Sequence, residues 1–211
     1  MSVGAGVLAS DPAVRDVGMD AGFSPEPDML RAPDLSVGEI PDQPGWVQGA
    51  PLLAVEYPDT GQDEGELKGK IQDLLTAGTR FIWVVRLTGP RRVEVHEVGK
   101  AMTIAKPGEA LSAPGILANP VPVAALYDRE VGEEVTFQNL LQRRGYDGLD
   151  AVRAEGLQEA ILEILGARGV AMDDAFRSAL AAERNMEILK AFLLRAATAA
   201  SAEEVLGAPP R

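Results

Sequence analysis

The sequence contains no cysteine and only one histidine among its 211 residues. Without cysteine there can be no disulfide framework, no thiolate metal site and no cysteine nucleophile. A single histidine excludes a multi-histidine zinc site and leaves little room for a Ser-His-Asp triad. No run approaches the roughly 18 apolar residues of a membrane span, and the N-terminus lacks the pattern of a secretion signal. We therefore expect a soluble, cytoplasmic protein of bacterial type.

Basic residues are scarce in the first third of the chain. The whole sequence has 32 acidic and 20 basic side chains, for a net charge of -12. Residues 1–66 hold 13 of the acidic and 2 of the basic side chains, so the remainder is close to neutral. Either a solvated acidic segment or a group of carboxylates around a cation would explain this distribution.

The composition divides the chain into three parts. Residues 1–30 are acidic and rich in Gly and Pro, which predicts disorder or a loosely attached strand around 14–23. Residues 31–135 carry the strand and helix patterns of a core domain, and residues 136–211 form a linker and a C-terminal helical domain. The length and the 46% of hydrophobic residues suffice for a domain with a smaller appendage.

Hydrophobic spacing in the central part predicts a strand, a helix and a second strand. Residues 31–37 alternate as a short strand does, and 52–57 are nearly all apolar, as in a strand buried on both faces. Apolar residues then recur at helical spacing over 64–77, and a second buried strand follows at 81–85. This order indicates a βαβ crossover in an α/β sheet, followed by an antiparallel hairpin at 92–98 and 102–105.

The C-terminal part predicts a small helical bundle over 155–207. One helix ends at Gly169, and three capping residues mark the starts of later helices. These residues are Asp173, Asn185 and Ser201, the last with a glutamate three positions on, as in a capping box.

Three positions carry the chemistry. A carboxylate in a buried strand is costly unless it is paired or binds a cation, which singles out Glu56. Asp34 supplies a second carboxylate from the preceding strand, and the following helix carries Lys68 and Lys70 on either edge of its apolar stripe. Helical spacing alone does not choose between the two lysines. Two carboxylates beside an ammonium group suit Mg²⁺ and the hydrolysis of a phosphodiester.

Each of these residues also has a structural interpretation. Asp34 follows a proline and suits a turn, and Glu56 suits the half-exposed side of an edge strand. Lys70 comes four residues after Glu66, as in a helix-surface ion pair.

The order of short motifs resembles the Uma-type restriction endonucleases of the PD-(D/E)XK nuclease superfamily. The matching pieces lie within about 31–128. They are Arg31-Ala-Pro-Asp34, Gly49-Ala-Pro-Leu-Leu-Ala-Val-Glu56, Lys70, Ala77-Gly78, Ile82-Trp83-Val84-Val85 and the segment from Gly108 to Tyr127. The spacing from Glu56 to the following pieces fits the family without a gap, and it selects Lys70 over Lys68.

The resemblance implies an α/β (α+β) fold, in which a restriction-endonuclease-like mixed β-sheet core precedes a C-terminal helical bundle. It implies that Asp34 and Glu56 bind Mg²⁺ or Mn²⁺, with the backbone carbonyl of Tyr57 as a further ligand, and that Lys70 positions the attacking water. The implied function is a Mg²⁺-dependent DNA endonuclease with DNA as substrate. The alternative is a catalytically inactive nuclease fold that acts as a scaffold or as an oligomerisation and interaction module.

Two departures from the family pattern and the lack of a basic face motivate that alternative. The family usually has an aspartate where this sequence has Leu52. Family members also begin with a helix and a strand pair before the Arg31-Ala-Pro-Asp34 segment. The first thirty residues, which are acidic and rich in Gly and Pro, are not expected to supply all of these elements. We therefore expect either a single N-terminal strand or a homodimer or partner chain that provides the missing elements.

Overall fold

The structure is a computed structural model that describes residues 3–26, 29–41, 45–58 and 63–207. It separates into two compact units, residues 1–143 and 144–211. The described part of the first unit contains ten strands, three α-helices and a 3₁₀ helix: α1 (Val3–Ser10), β1 (Val17–Met19), β2 (Phe23–Ser24), β3 (Leu35–Val37), β4 (Val47–Gln48), β5 (Leu53–Glu56), α2 (Glu64–Thr76), β6 (Phe81–Arg86), β7 (Arg92–Glu97), β8 (Thr103–Ala105), β9 (Ala110–Leu111), β10 (Val121–Pro122), the 3₁₀ helix (Val123–Leu126) and α3 (Arg129–Arg143). No helix in the described part of the chain has the length and apolar composition that crossing a membrane requires.

A mixed six-stranded sheet in the order β1-β3-β5-β6-β7-β8 forms the centre of the first unit. Strands β5 and β6 are parallel and are joined by α2, whereas the other neighbours are antiparallel. This arrangement confirms the predicted fold class, the βαβ crossover and the hairpin at β7 and β8. The crossover forms because two apolar strands flank a helix with one apolar stripe, which must be buried against the sheet.

Helices cover both faces of the sheet. On one face, α1, α3 and the 3₁₀ helix pack against alternate strand residues such as Leu53, Val55 and Trp83. On the other face, Leu67, Ile71 and Leu74 of α2 pack against the intervening strand residues, which are Ala54, Ile82 and Val84. Because side chains alternate along a strand, each of these strands contributes to two separate cores.

The expectation of disorder is wrong for the residues of 1–30 that are described, whereas the alternative of a strand around 14–23 agrees with β1 and the start of β2. Residues 3–10 form α1, and Val7 and Leu8 are buried. Residues 17–19 form β1, which pairs with β3 and completes the sheet edge. The chain itself therefore supplies a helix and strands before the Arg31-Ala-Pro-Asp34 segment, and the premise that these elements are missing does not hold. Pro27 and Asp28 lie outside the described residues.

Helix α1 packs closely against α3. A Cβ atom on Gly132 of α3 would lie 2.2 Å from the side chain of Val3, so glycine is needed where the two helices meet. Helix α3 itself spans 129–143 and belongs to the first unit, although the sequence suggested a linker from residue 136. Packing against α1 gives it a partner that its own sequence pattern does not reveal.

The second unit is a helical bundle, as predicted. It comprises α4 (Leu149–Ala167), α5 (Asp174–Ala182), α6 (Met186–Ala196) and α7 (Ala202–Leu206). The predicted N-caps form hydrogen bonds to the first-turn amides: Asp173 to Phe176, Asn185 to Glu187 and Ile188, and Ser201 to Glu204. The core of this unit contains Ile161, Leu165, Phe176, Leu180, Leu189 and Phe192.

Candidate functional site

Asp34 and Glu56 lie next to each other where β3 begins and β5 ends. The antiparallel register pairs Leu35 with Val55, so Asp34 immediately precedes a paired residue and Glu56 immediately follows its partner. Leu35 and Val55 point into the core that contains α1 and α3. Since side chains alternate, Asp34 and Glu56 are directed to the opposite face, which α2 covers. The sheet thus brings the two predicted carboxylates together.

Lys70 of α2 joins them. Its Nζ donates a hydrogen bond to Oε2 of Glu56 at 2.8 Å and another to the backbone carbonyl of Ala32 at 2.7 Å. Lys68 is exposed to solvent. The geometry therefore agrees with the choice of Lys70, and the side chain contacts Glu56 across the site instead of pairing with Glu66 along the helix surface.

Asp34 and Tyr57 are joined through the backbone. The amide of Tyr57 donates to Oδ2 of Asp34 at 2.5 Å, and the Tyr57 hydroxyl donates to the carbonyl of Leu126 at 3.0 Å. A Cβ atom on Gly4 would lie 2.2 Å from that hydroxyl, so glycine in α1 makes room for the tyrosine. These contacts hold the residue after β5 against both Asp34 and the other core. The ligand role of the Tyr57 carbonyl remains a prediction.

The pKa of Glu56 is strongly perturbed. Its exposed fraction is 2%, and β5 lies inside the sheet between β3 and β6, which rules out the edge-strand interpretation. Burial raises the pKa of Glu56 to about 7, although the hydrogen bond and the charge of Lys70 lower it. The charges of Asp34 and Asp20 raise the pKa further. The site thus makes the ionised form of Glu56 costly.

The donor set fits a hard cation such as Mg²⁺. Oε1 of Glu56 is buried and has no hydrogen-bond partner among the described residues, although Oε2 is bound by Lys70. A buried carboxylate oxygen of this kind is stabilised by a cation. Across 3–26, 29–41, 45–58 and 63–207, no three His, Cys, Asp or Glu side chains are grouped to hold a metal. Mg²⁺ usually binds through one or two carboxylates and keeps several waters, so two carboxylates suffice.

Leu52, the residue that departs from the family pattern, lies away from this site. It precedes β5 by one residue and is exposed, whereas Glu56 is the last residue of the strand. Four residues of extended chain span about 13 Å. The substitution of aspartate by leucine at this position therefore leaves the pair of carboxylates intact.

Sequence reasoning missed three charged contributors to the site. Arg31 was noted only as part of a motif, yet its Nε donates to Oδ2 of Asp73 on α2 at 2.9 Å. Asp73 comes three residues after Lys70 and thus lies on the same side of the helix, which is the signal that could have revealed it. Asp20 follows β1 in a left-handed backbone conformation, with φ of 51°, and nothing in the local sequence marks it.

The fold has a counterpart among solved structures. A crystal structure of a protein from Anabaena variabilis, described as "a putative nuclease belonging to DUF820", matches with a TM-score of 0.51 and 17% sequence identity. The match covers 61% of this chain and 76% of that chain. DUF820 corresponds to the Uma-type family. No family model and no curated protein matches the sequence. The matched part of the chain therefore has a nuclease-like fold.

Proposed function

We propose that this chain is a Mg²⁺-dependent DNA endonuclease of the PD-(D/E)XK type, which hydrolyses phosphodiester bonds. The observation that carries the proposal is the convergence of Asp34, Glu56 and Lys70 at adjacent ends of β3 and β5. The nuclease-like fold and the description of the Anabaena protein support the same function. Mn²⁺ has similar ligand preferences and is expected to substitute for Mg²⁺.

Asp34 and Glu56 would hold the cation, and the Tyr57 carbonyl is a further candidate ligand. When bound, Mg²⁺ supplies a Lewis acid for the phosphate and activates water near neutral pH. The free oxygen of Glu56 faces no competing donor among the described residues, so it is available to the ion. The buried position excludes bulk water and strengthens this electrostatic attraction.

Lys70 contributes in two ways. Its ammonium group is held beside Glu56 by hydrogen bonds to Oε2 and to the Ala32 carbonyl, so it is already oriented when substrate arrives. There it can donate a hydrogen bond to the attacking water and stabilise the negative charge that develops on the phosphate. Preorganised donors of this kind lower the barrier because they need little rearrangement during the reaction.

The charge distribution sets an expectation for DNA affinity. Phosphate binding depends on lysine and arginine side chains, and the chain has a net charge of -12. The excess of acidic residues lies in the first 66, which include Asp34 and Glu56. We therefore expect modest, salt-sensitive binding to DNA.

Cleavage of supercoiled plasmid tests the proposal. Wild-type protein with millimolar Mg²⁺ or Mn²⁺ is expected to nick or linearise the plasmid, and EDTA should prevent this. Glu56→Ala and Asp34→Ala should abolish cleavage, whereas Glu133→Gln, at an exposed carboxylate on α3, should not change it. Cutting that survives Glu56→Ala would refute the assignment.

The inactive-scaffold alternative predicts a different pair of results. It is favoured by the fact that the protein itself already binds one oxygen of each carboxylate, through Lys70 and the Tyr57 amide. In that case the protein would cut no plasmid, and calorimetry would detect no binding of Mg²⁺ or Mn²⁺ at millimolar concentration. Heat of binding that disappears in Glu56→Ala would exclude this alternative.

A further inference from the structure

Two polar contacts join α2 to the segment that leads into β3. The guanidinium of Arg31 binds Oδ2 of Asp73 through both Nε and Nη2, and Nζ of Lys70 binds the carbonyl of Ala32. Asp73 and Lys70 are three residues apart and so face the same way from the helix. The segment 31–32 is therefore tied to α2 at two points on one helix face, directly before Asp34.

Apolar packing does not hold this segment against α2. The core between α2 and the sheet is built from Ala54, Leu67, Ile71, Leu74, Ile82 and Val84, and among the described residues it includes none from 29–34. Instead, an open groove of about 460 Å³ separates Leu30, Arg31 and Ala32 from the Glu66–Lys70 turn of α2. Side-chain contacts thus link α2 to this segment, and the backbone of Arg31 is also paired with Phe23 of β2.

We propose that Arg31 and Asp73 form a positioning pair that fixes Asp34 and Lys70 relative to each other. Asp34 comes three residues after Arg31 along the chain, and Lys70 lies three residues before Asp73 on α2. A planar guanidinium that binds one carboxylate through two nitrogens restrains both distance and orientation. Neither residue needs to contact substrate, because the pair acts through the two groups that it aligns.

The positioning role can be tested by hydrogen exchange, without measuring DNA cleavage. The Tyr57 amide donates to Oδ2 of Asp34, so its hydrogen exchange reports whether Asp34 stays in place. Asp73→Asn, Arg31→Gln and the double variant should each accelerate exchange at this amide about tenfold or more. Amides within α2 should keep their protection, and Glu133→Gln should change neither. Unchanged exchange at Tyr57 in the single variants would overturn the proposal.

The kinetic prediction rests on the proposed nuclease function. Small displacements of reacting groups can cost about 100-fold in rate, so Asp73→Asn should lower kcat about 10- to 100-fold with KM for DNA changed less than about twofold. The double variant should be no slower than the slower single variant, because the residues act as one unit. Arg31→Lys keeps the positive charge but cannot bind Asp73 through two nitrogens of a planar group. Its kcat should therefore also be lower than that of the wild type.

The outcomes separate this proposal from its competitors. If Arg31→Gln raises KM while Asp73→Asn leaves both constants unchanged, Arg31 binds substrate directly and the pair does not position the site. If the wild-type protein cuts no DNA, the proposed function fails, and exchange at Tyr57 still decides the positioning role. The ion pair is partly exposed, at 33% and 26% for the two side chains, so the variants are expected to fold.

Discussion

Replacing Glu56 by glutamine should make the protein more stable at alkaline pH while it removes the proposed activity. The folded protein keeps a proton on Glu56 up to a pKa of about 7, whereas the unfolded chain loses it near the ordinary value of 4.5. Between these values the folded state binds more protons, so the wild type loses stability as pH rises. Glutamine stays neutral throughout and does not incur this loss.

The size of the effect follows from the difference between the two pKa values. Each unit corresponds to about 1.4 kcal/mol, and integrating the two titrations from pH 5 to pH 8 gives about 2.5 kcal/mol. Solvent screening reduces this figure little, because Glu56 is only 2% exposed. The glutamine carbonyl can still accept the hydrogen bond from Lys70, so the variant leaves that ammonium group with a partner.

Urea unfolding in EDTA at several pH values measures this effect. The stability of Glu56→Gln relative to wild type should increase by about 2.5 kcal/mol from pH 5 to pH 8. For the exposed control Glu133→Gln, the difference from wild type should stay within about 0.5 kcal/mol over this range. A constant difference between Glu56→Gln and wild type, or one that shrinks as pH rises, would refute the assignment of a raised pKa to Glu56.

Two further predictions concern the pH dependence of activity and the N-terminal helix. Because protons and cations compete for Glu56, whose pKa is about 7, cleavage in low Mg²⁺ should be half-maximal near pH 7. The midpoint should move to lower pH as Mg²⁺ increases, and a midpoint independent of Mg²⁺ would contradict this competition. The buried carboxylate of Asp11 accepts hydrogen bonds from the amides of Ala13, Ala118 and Asn119. Asp11→Ala should therefore cost about 3 kcal/mol or more in urea unfolding, against less than about 0.5 kcal/mol for the exposed Asp16→Ala; a loss below 1 kcal/mol would show that these bonds contribute little.

The sequence predicted the parts of the fold whose pattern is local. Strands β5 and β6 are continuous apolar runs buried on both faces, and helix α2 buries residues at helical spacing, so the crossover was recognisable. The caps of the second unit were recognisable for the same reason, since a capping side chain binds amides two or three residues away.

The N-terminal helix could not be predicted because its stabilising contacts are distant in sequence. Residues 3–10 are apolar or glycine apart from Ser10, so their sequence shows no amphipathic period. The end of α1 is held by Asn139, whose amide donates to Oγ of Ser10, and by Arg143, which donates to the carbonyls of Asp11 and Val14. These partners are about 130 residues away, so no window of the sequence contains both sides of the contact.

The two carboxylates and the lysine of the candidate site were predicted from the sequence, but the ion pair beside them was missed. Glu56 stands out because a buried strand rarely contains a carboxylate, and the family spacing pointed to Lys70. The ion pair between Arg31 and Asp73 joins residues 42 positions apart, and both types of side chain are common on protein surfaces. Only the folded chain shows that this pair lies next to the groups proposed to react.

Single-turnover plasmid cleavage by Lys70→Met and Lys68→Met decides whether Lys70 acts in catalysis with Asp34 and Glu56. The two lysines lie on the same helix two residues apart, but only Lys70 reaches Glu56. Lys70→Met is expected to cut DNA at least about 100-fold more slowly than wild type, and Lys68→Met at a rate within about threefold of it. Equal rates for the two variants would contradict the assignment of Asp34, Glu56 and Lys70 as the catalytic centre.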